Sequence, residues 1–139
     1  MKAKCLKIDG GELGPPDHGF LYSERTSFSV TRGKEYDIFG MSLYDHNLAY
    51  LICNDAKRPD WLPVGLFQLK VAAIPQDWEF RLVEVQADWP VGKWGLQALW
   101  GYPELTRSLS HYEGLIDQRA SDLALFDSIQ DRYRSKDME

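Results

Sequence analysis

Residues 35–53 read EYDIFGMSLYDHNLAYLIC. Two runs rich in Tyr, Ile, Phe and Leu, Glu35 to Leu43 and Leu48 to Cys53, flank the tetrapeptide Tyr44-Asp45-His46-Asn47. Asp and Asn tolerate turn dihedrals and bond to their own backbone, so the stretch reads as a β-hairpin. Gly40 inside the first arm points to a bulge or to another backbone approaching closely. A hairpin of this kind seeds an antiparallel sheet, and the flanking segments supply its other strands.

Upstream, Lys2 to Ile8 mixes charged and apolar residues and reads as a short edge strand. Asp9 to Gly19 is rich in Gly and Pro and reads as a loop. Ser27 to Val30 is a candidate second strand, followed by a turn at Thr31-Arg32-Gly33-Lys34. Downstream, Asn54 to Pro63 is a polar connection carrying Pro59, Trp61 and Pro63. Leu66 to Val71 and Trp78 to Val85 are further strands. In the latter, Trp78, Phe80 and Leu82 are expected on the buried face, with Glu79, Arg81 and Val83 on the wet one.

After Asp88 and the break at Trp89-Pro90 and Gly92, the apolar period lengthens from two to about three and a half. Pro103 suits a first helical position. Ser110-His111-Tyr112-Glu113 has capping-box spacing, and Gly114 weakens the helix it opens. A last helix over Arg119–Arg134 places Ala120, Leu123, Phe126, Ile129 and Tyr133 on one face, with Asp122, Asp127 and Asp131 opposite. Strands first and helices afterwards predict an α+β fold, an antiparallel sheet of about five strands with C-terminal helices packed on it. The 139 residues read as a single domain, 1–88 mainly β and 89–139 mainly α.

Charge is distributed unevenly. Residues 1–70 hold nine Lys/Arg and nine Asp/Glu, and residues 71–139 hold seven and twelve, so the net −5 lies in the second part. Such a field attracts a basic partner and disfavours nucleic acid. No apolar run approaches the roughly 20 residues that span a bilayer, and no signal peptide opens the chain, so a cytoplasmic protein is expected. Cys5 and Cys53 make no disulfide framework and no C-x-x-C pair.

No pattern for catalysis, cofactor or metal emerges. His18, His46 and His111 lack a second ligand at metal spacing. There is no Gly-x-Ser-x-Gly elbow, and Cys53 ends an apolar strand as a small hydrophobe. Arg32-Gly33-Lys34 lacks the remainder of a phosphate loop. Pro15-Pro16 bars the glycines at 10, 11 and 14 from a dinucleotide fingerprint. Trp61, Trp78, Trp89, Trp94 and Trp100 crowd into forty residues. Trp78 and Trp100 read as core; Trp61 reads either as core or as an exposed stacking surface.

The segments EYDIFGMSLYDHNLAYLICND, PDWLPVGLF, IPQDWEF, WGYPELTRSL and HYEGLIDQ resemble small bacterial immunity proteins of polymorphic-toxin and contact-dependent growth inhibition systems. The likeness covers about two-thirds of the chain. It implies a cytoplasmic protein that binds one toxin domain and blocks it, without shared functional residues, since each inhibitor matches its own toxin.

The expectation is therefore a non-enzymatic inhibitor of a basic, nuclease-type toxin domain, monomeric or homodimeric, with no cofactor. Asp117, Asp122, Asp127 and Asp131 are the expected electrostatic contacts, with Trp61 and Tyr44 as aromatic anchors. The alternative is a small carbohydrate- or nucleotide-binding module or enzyme that uses a Trp-rich cleft.

Overall fold

The computed structural model describes residues 1–14, 22–23, 25–84 and 95–137. Pro15, Pro16, His18, Trp89 and Trp94 lie outside the described residues. The strands are β1 (Lys2–Cys5), β2 (Glu35–Asp37), β3 (Gly40–Tyr44), β4 (Asn47–Cys53), β5 (Pro59–Pro63), β6 (Phe67–Val71), β7 (Glu79–Leu82) and β8 (Leu96–Gly101). The helices are α1 (Gly10–Leu13), α2 (Pro103–Arg107), α3 (Leu109–Ile116) and α4 (Ala120–Asp137). All pairings are antiparallel. They form a three-stranded sheet, β2-β1-β6, and a five-stranded sheet, β5-β4-β3-β8-β7.

Two cores result. Leu51, Leu96 and Leu99 of the larger sheet, with Phe39 just ahead of β3, pack with Leu105, Tyr112, Leu115, Phe126 and Ile129 of the helices. Tyr50, Ile52 and Leu62 pack instead with Ala3, Cys5, Tyr36 and Phe67 of the smaller sheet. The fold is α+β, with the C-terminal helices on one side of the five-stranded sheet and the three-stranded sheet on the other. β4 is buried on both faces, which is why its sequence is a continuous apolar run.

The hairpin turn is made by Asp45 and His46, both with positive φ (46° and 66°), between the paired residues Tyr44 and Asn47. Positive φ at both central positions is the signature of the two-residue turn whose twist matches its strands. The expected first arm, however, is two strands in two sheets. Ile38 enters the inter-sheet core while Phe39 turns to the helices, stacked edge-on against Phe126 at 5.3 Å. Gly40 marks close approach: a Cβ there would lie 2.8 Å from Leu105 Cδ2 and 2.9 Å from the Trp100 carbonyl oxygen.

Several expectations are corrected. β1 is the middle strand of its sheet, not an edge. The Gly-rich stretch after Asp9 holds one helical turn, capped by Asp9 Oδ1 accepting from the Glu12 N–H at 2.8 Å. Ser27–Val30 contributes a single bridge, Asp9 to Ser27, in place of a strand. The polar connection ends in β5, an edge strand whose first and last residues are Pro59 and Pro63. Leu96–Gly101, expected where the helical period begins, is a strand in the interior of the larger sheet.

β7 is inverted relative to expectation. Phe80 and Leu82 are 53% and 71% exposed, whereas Glu79 and Arg81 turn toward the helices. There Arg107 donates two bonds to Glu79, and Arg81 Nη1 donates to the Thr106 carbonyl.

In the helical layer, Pro103 occupies the first turn of α2 as expected. Ser108, two residues before the expected Ser110, caps α3 by accepting from the His111 N–H. The last helix faces inward through Asp122, Phe126, Ile129 and Tyr133, at steps of four, three and four. Ala120 is exposed.

Candidate functional site

Among the described residues, three polar side chains form a line across the helical layer. His111 lies on the first turn of α3, Asp122 on the first turn of α4, and Tyr102 just before α2. His111 Nδ1 is 2.7 Å from Asp122 Oδ1, and its Nε2 is 2.7 Å from the Tyr102 hydroxyl. With the proton on Nδ1 given to Asp122, Nε2 accepts from the Tyr102 O–H, and every member is satisfied. Burial pushes the Tyr102 hydroxyl up, which keeps it a donor.

Carboxylate, imidazole and hydroxyl in series is an arrangement that catalytic sites use. Here Tyr102 is 0% exposed and His111 3%, so a substrate cannot reach the hydroxyl. The line ties three elements together. Gly114 makes it fit: a Cβ at that position would sit 1.8 Å from Asp122 Oδ2.

The expected acidic contacts therefore divide. Asp122 faces inward, its side chain 15% exposed. Asp117 caps the end of α3 with its side chain 65% exposed, 3.7 Å from Arg119 Nη2. Asp131 is 75% exposed and pairs with Arg134 at 3.3 Å, while Asp127, one turn earlier on α4, is exposed. Other carboxylates in and against the helical layer are engaged: Glu104 of α2 binds Arg132, Glu113 of α3 lies 3.9 Å from Arg119, and Glu79 of β7 binds Arg107.

The two expected anchors lie on strands of the larger sheet, Trp61 on β5 and Tyr44 on β3. Trp61, half-buried on β5, packs on Tyr112 with ring centroids 5.7 Å apart. Its indole nitrogen is buried with no hydrogen-bond partner among the described residues. Tyr44, at the hairpin end, covers Gly95, where a Cβ would meet its ring at 2.6 Å.

A cleft of about 360 Å³ opens beside the end of β4, lined by Lys34, Tyr36, Cys53, Asn54, Lys57 and Arg134 among others. Next to it Asp55 accepts from Thr31 Oγ1 (2.6 Å), Lys34 Nζ (2.9 Å) and the Tyr36 hydroxyl (2.7 Å). Those bonds hold its carboxyl down at about 2. Burial pushes the Cys53 thiol up, which suppresses the nucleophilic thiolate. The sequence offered no signal for this network, whose members are 19 to 24 residues from Asp55. Both cysteines are free. Among the described residues, no group of three or more His, Cys, Asp or Glu is placed to hold a metal ion, and no helix is long and apolar enough to cross a membrane.

Comparison with family models, with curated proteins and with solved structures gives no match for this chain.

Proposed function

We propose that this chain is an inhibitor of the immunity type, a cytoplasmic protein that binds and neutralises a basic toxin domain. The observation that carries the reading is the outward presentation of Asp117, Asp127 and Asp131 on a half of the chain with a surplus of five negative charges. A nuclease-type toxin needs a cationic groove for its substrate, and an acidic helix face complements such a groove as a phosphate mimic. Asp122 is committed to His111, so the contact falls to the other three carboxylates. The partly exposed edges of Trp61 and Tyr44 are the aromatic anchors on the neighbouring strands.

Charge complementarity of this kind acts mainly on the association rate and is screened by salt. The test is association with the basic C-terminal domain of a large secreted protein encoded beside this chain, followed by stopped flow at low and at physiological ionic strength. The expected result is tight binding whose on-rate falls as salt rises. An on-rate indifferent to salt, or no binding, overturns the proposal.

A second reading, a module for a small anionic ligand such as a nucleotide, draws on the cleft beside Cys53, where Lys34, Lys57 and Arg134 converge. Two of these cations are already paired, Lys34 with Asp55 and Arg134 with Asp131, and the reading ranks second for that reason. Titration with ATP, read by the chemical shifts of Asn54 and Lys57, separates the two.

A further inference from the structure

Among the described residues, β7 is an edge of the five-stranded sheet. The opposite edge, β5, begins and ends with proline, which cannot donate to an added strand. β7 reads Glu-Phe-Arg-Leu and has no such guard. Val83 N–H donates to the Gln97 carbonyl at 2.9 Å, directly opposite it in the β7–β8 register. Alternation in an antiparallel ladder then turns the amides and carbonyls of Glu79 and Arg81 toward β8, and those of Phe80 and Leu82 away from it.

Phe80 and Leu82 are also the residues whose side chains are exposed, on the face where Phe80 stacks beside Trp100 at 4.9 Å. Among the described residues no strand pairs with this edge. Free backbone groups and exposed apolar side chains on the same two residues are what an incoming strand requires.

We propose that a second copy of this chain pairs antiparallel along β7, joining two five-stranded sheets into one. The strand is complementary to itself. About a two-fold axis at Phe80, the two Phe80 residues face each other and exchange both backbone hydrogen bonds. Glu79 then stands opposite Arg81 of the second copy, twice, and Leu82 opposite Trp78 of the second copy. Opposite charges across a strand pair stabilise it, and like charges oppose it. Sliding the register by one step at the axis brings either Arg81 against Arg81 of the second copy or Glu79 against Glu79 of the second copy. This self-complementarity points to a second copy as the occupant, and charge disfavours both one-step slides of the register.

Helices α2 to α4 lie against the other face of the sheet, so the acidic surface of α4 stays open in this dimer. The inference stands independently of the inhibitor reading. A short strand pair lies at the small end of specific interfaces, and self-association in the range of about 1–100 μM is expected.

Sedimentation equilibrium over a concentration series tests it. The chain is expected to shift from its monomer mass of 16.0 kDa toward twice that value, and Leu82→Lys to remain monomeric with an unchanged circular dichroism spectrum. A cysteine placed by Phe80→Cys in a Cys53→Ser background is expected to cross-link to itself under mild oxidation. Leu69→Cys, at a position 40% exposed on β6 against 53% for Phe80, is not. A monomer at every concentration overturns the proposal, as does a dimer that Leu82→Lys leaves intact or a cross-link at 69 in place of 80.

Discussion

His111 Nδ1 lies 2.7 Å from Asp122 Oδ1, which fastens the start of α4 to the start of α3. The same imidazole reaches Tyr102 ahead of α2, so one ring holds the whole helical layer in register. Asp122→Ala leaves a buried imidazole N–H without an acceptor. Losses of this kind run to about 2–4 kcal/mol. Asp122→Asn, which retains an acceptor oxygen, is expected to lose about half as much. Urea unfolding followed by tryptophan fluorescence measures both, and equal losses for the two variants would show that the hydrogen bond is not what the position contributes.

Gly114 sets two effects against each other. Replacing a mid-helix glycine with alanine gains about 1 kcal/mol of helix propensity. The new Cβ would lie 1.8 Å from Asp122 Oδ2 and 2.2 Å from its Cγ, distances that force α4 or the carboxylate to move. Overpacking costs about 1–3 kcal/mol and displaces the bond to His111 as well. Gly114→Ala is therefore expected to destabilise despite its propensity. Combined with Asp122→Ala it is expected to lose less than the sum of the two single changes, because the second change removes the carboxylate that the Cβ strikes. An additive double-mutant cycle would refute the steric account.

Asp55 contributes to the acid limb of stability. Hydrogen bonds from Thr31, Lys34 and Tyr36 hold its folded carboxyl at about 2, below the 3.8 of a free aspartate. A depressed carboxylate contributes stability that is fully present above the unfolded value and is lost as pH falls through the folded one. Asp60 acts in the opposite direction: burial raises its carboxyl, so its protonation favours the folded chain as pH drops toward the unfolded value. Glu12 and Glu79, held down by hydrogen bonds from Arg32 and Arg107, lose stability in the same acid range. The contribution of Asp55 between about 3.8 and 2 is therefore read as the difference between the parent and a variant without its carboxylate. Across that interval, the urea midpoint of the parent is expected to fall more steeply than that of Asp55→Asn, and parallel slopes would rule out the assignment.

What could be read in advance depended on how local the determining physics is. The Asp45-His46 turn and the Pro103 start of α2 follow from dihedral preferences of single residues, and both appear where expected. β8 escaped because a strand with Leu96, Ala98 and Leu99 all buried shows no two-residue alternation to detect. β7 runs against its hydropathy because its polar residues are held toward the helices by Arg107 and the Thr106 carbonyl, partners 25 to 28 residues away. The expectation for Asp122 on the outer face fails for the same reason. Hydropathy alone assigns an aspartate to water, and only the fold brings His111 beside it.

Asp127 and Asp131 separate charge from stability. Both are exposed on α4, one turn apart, and Asp131 pairs with Arg134, three residues on, in an ion pair open to solvent. Exposed pairs of this type contribute little to folding. Asp127→Lys with Asp131→Lys is therefore expected to leave the thermal midpoint at its parent value while moving the local field from negative to positive. If the inhibitor reading holds, association with the basic toxin domain slows by at least about tenfold at low salt, and the difference shrinks at high salt as screening removes the long-range attraction. The dissociation rate is expected to change less, since steering acts before the surfaces meet. A variant that unfolds at lower temperature would place these carboxylates in the scaffold, and one that binds at the parent rate would move the contact surface away from α4.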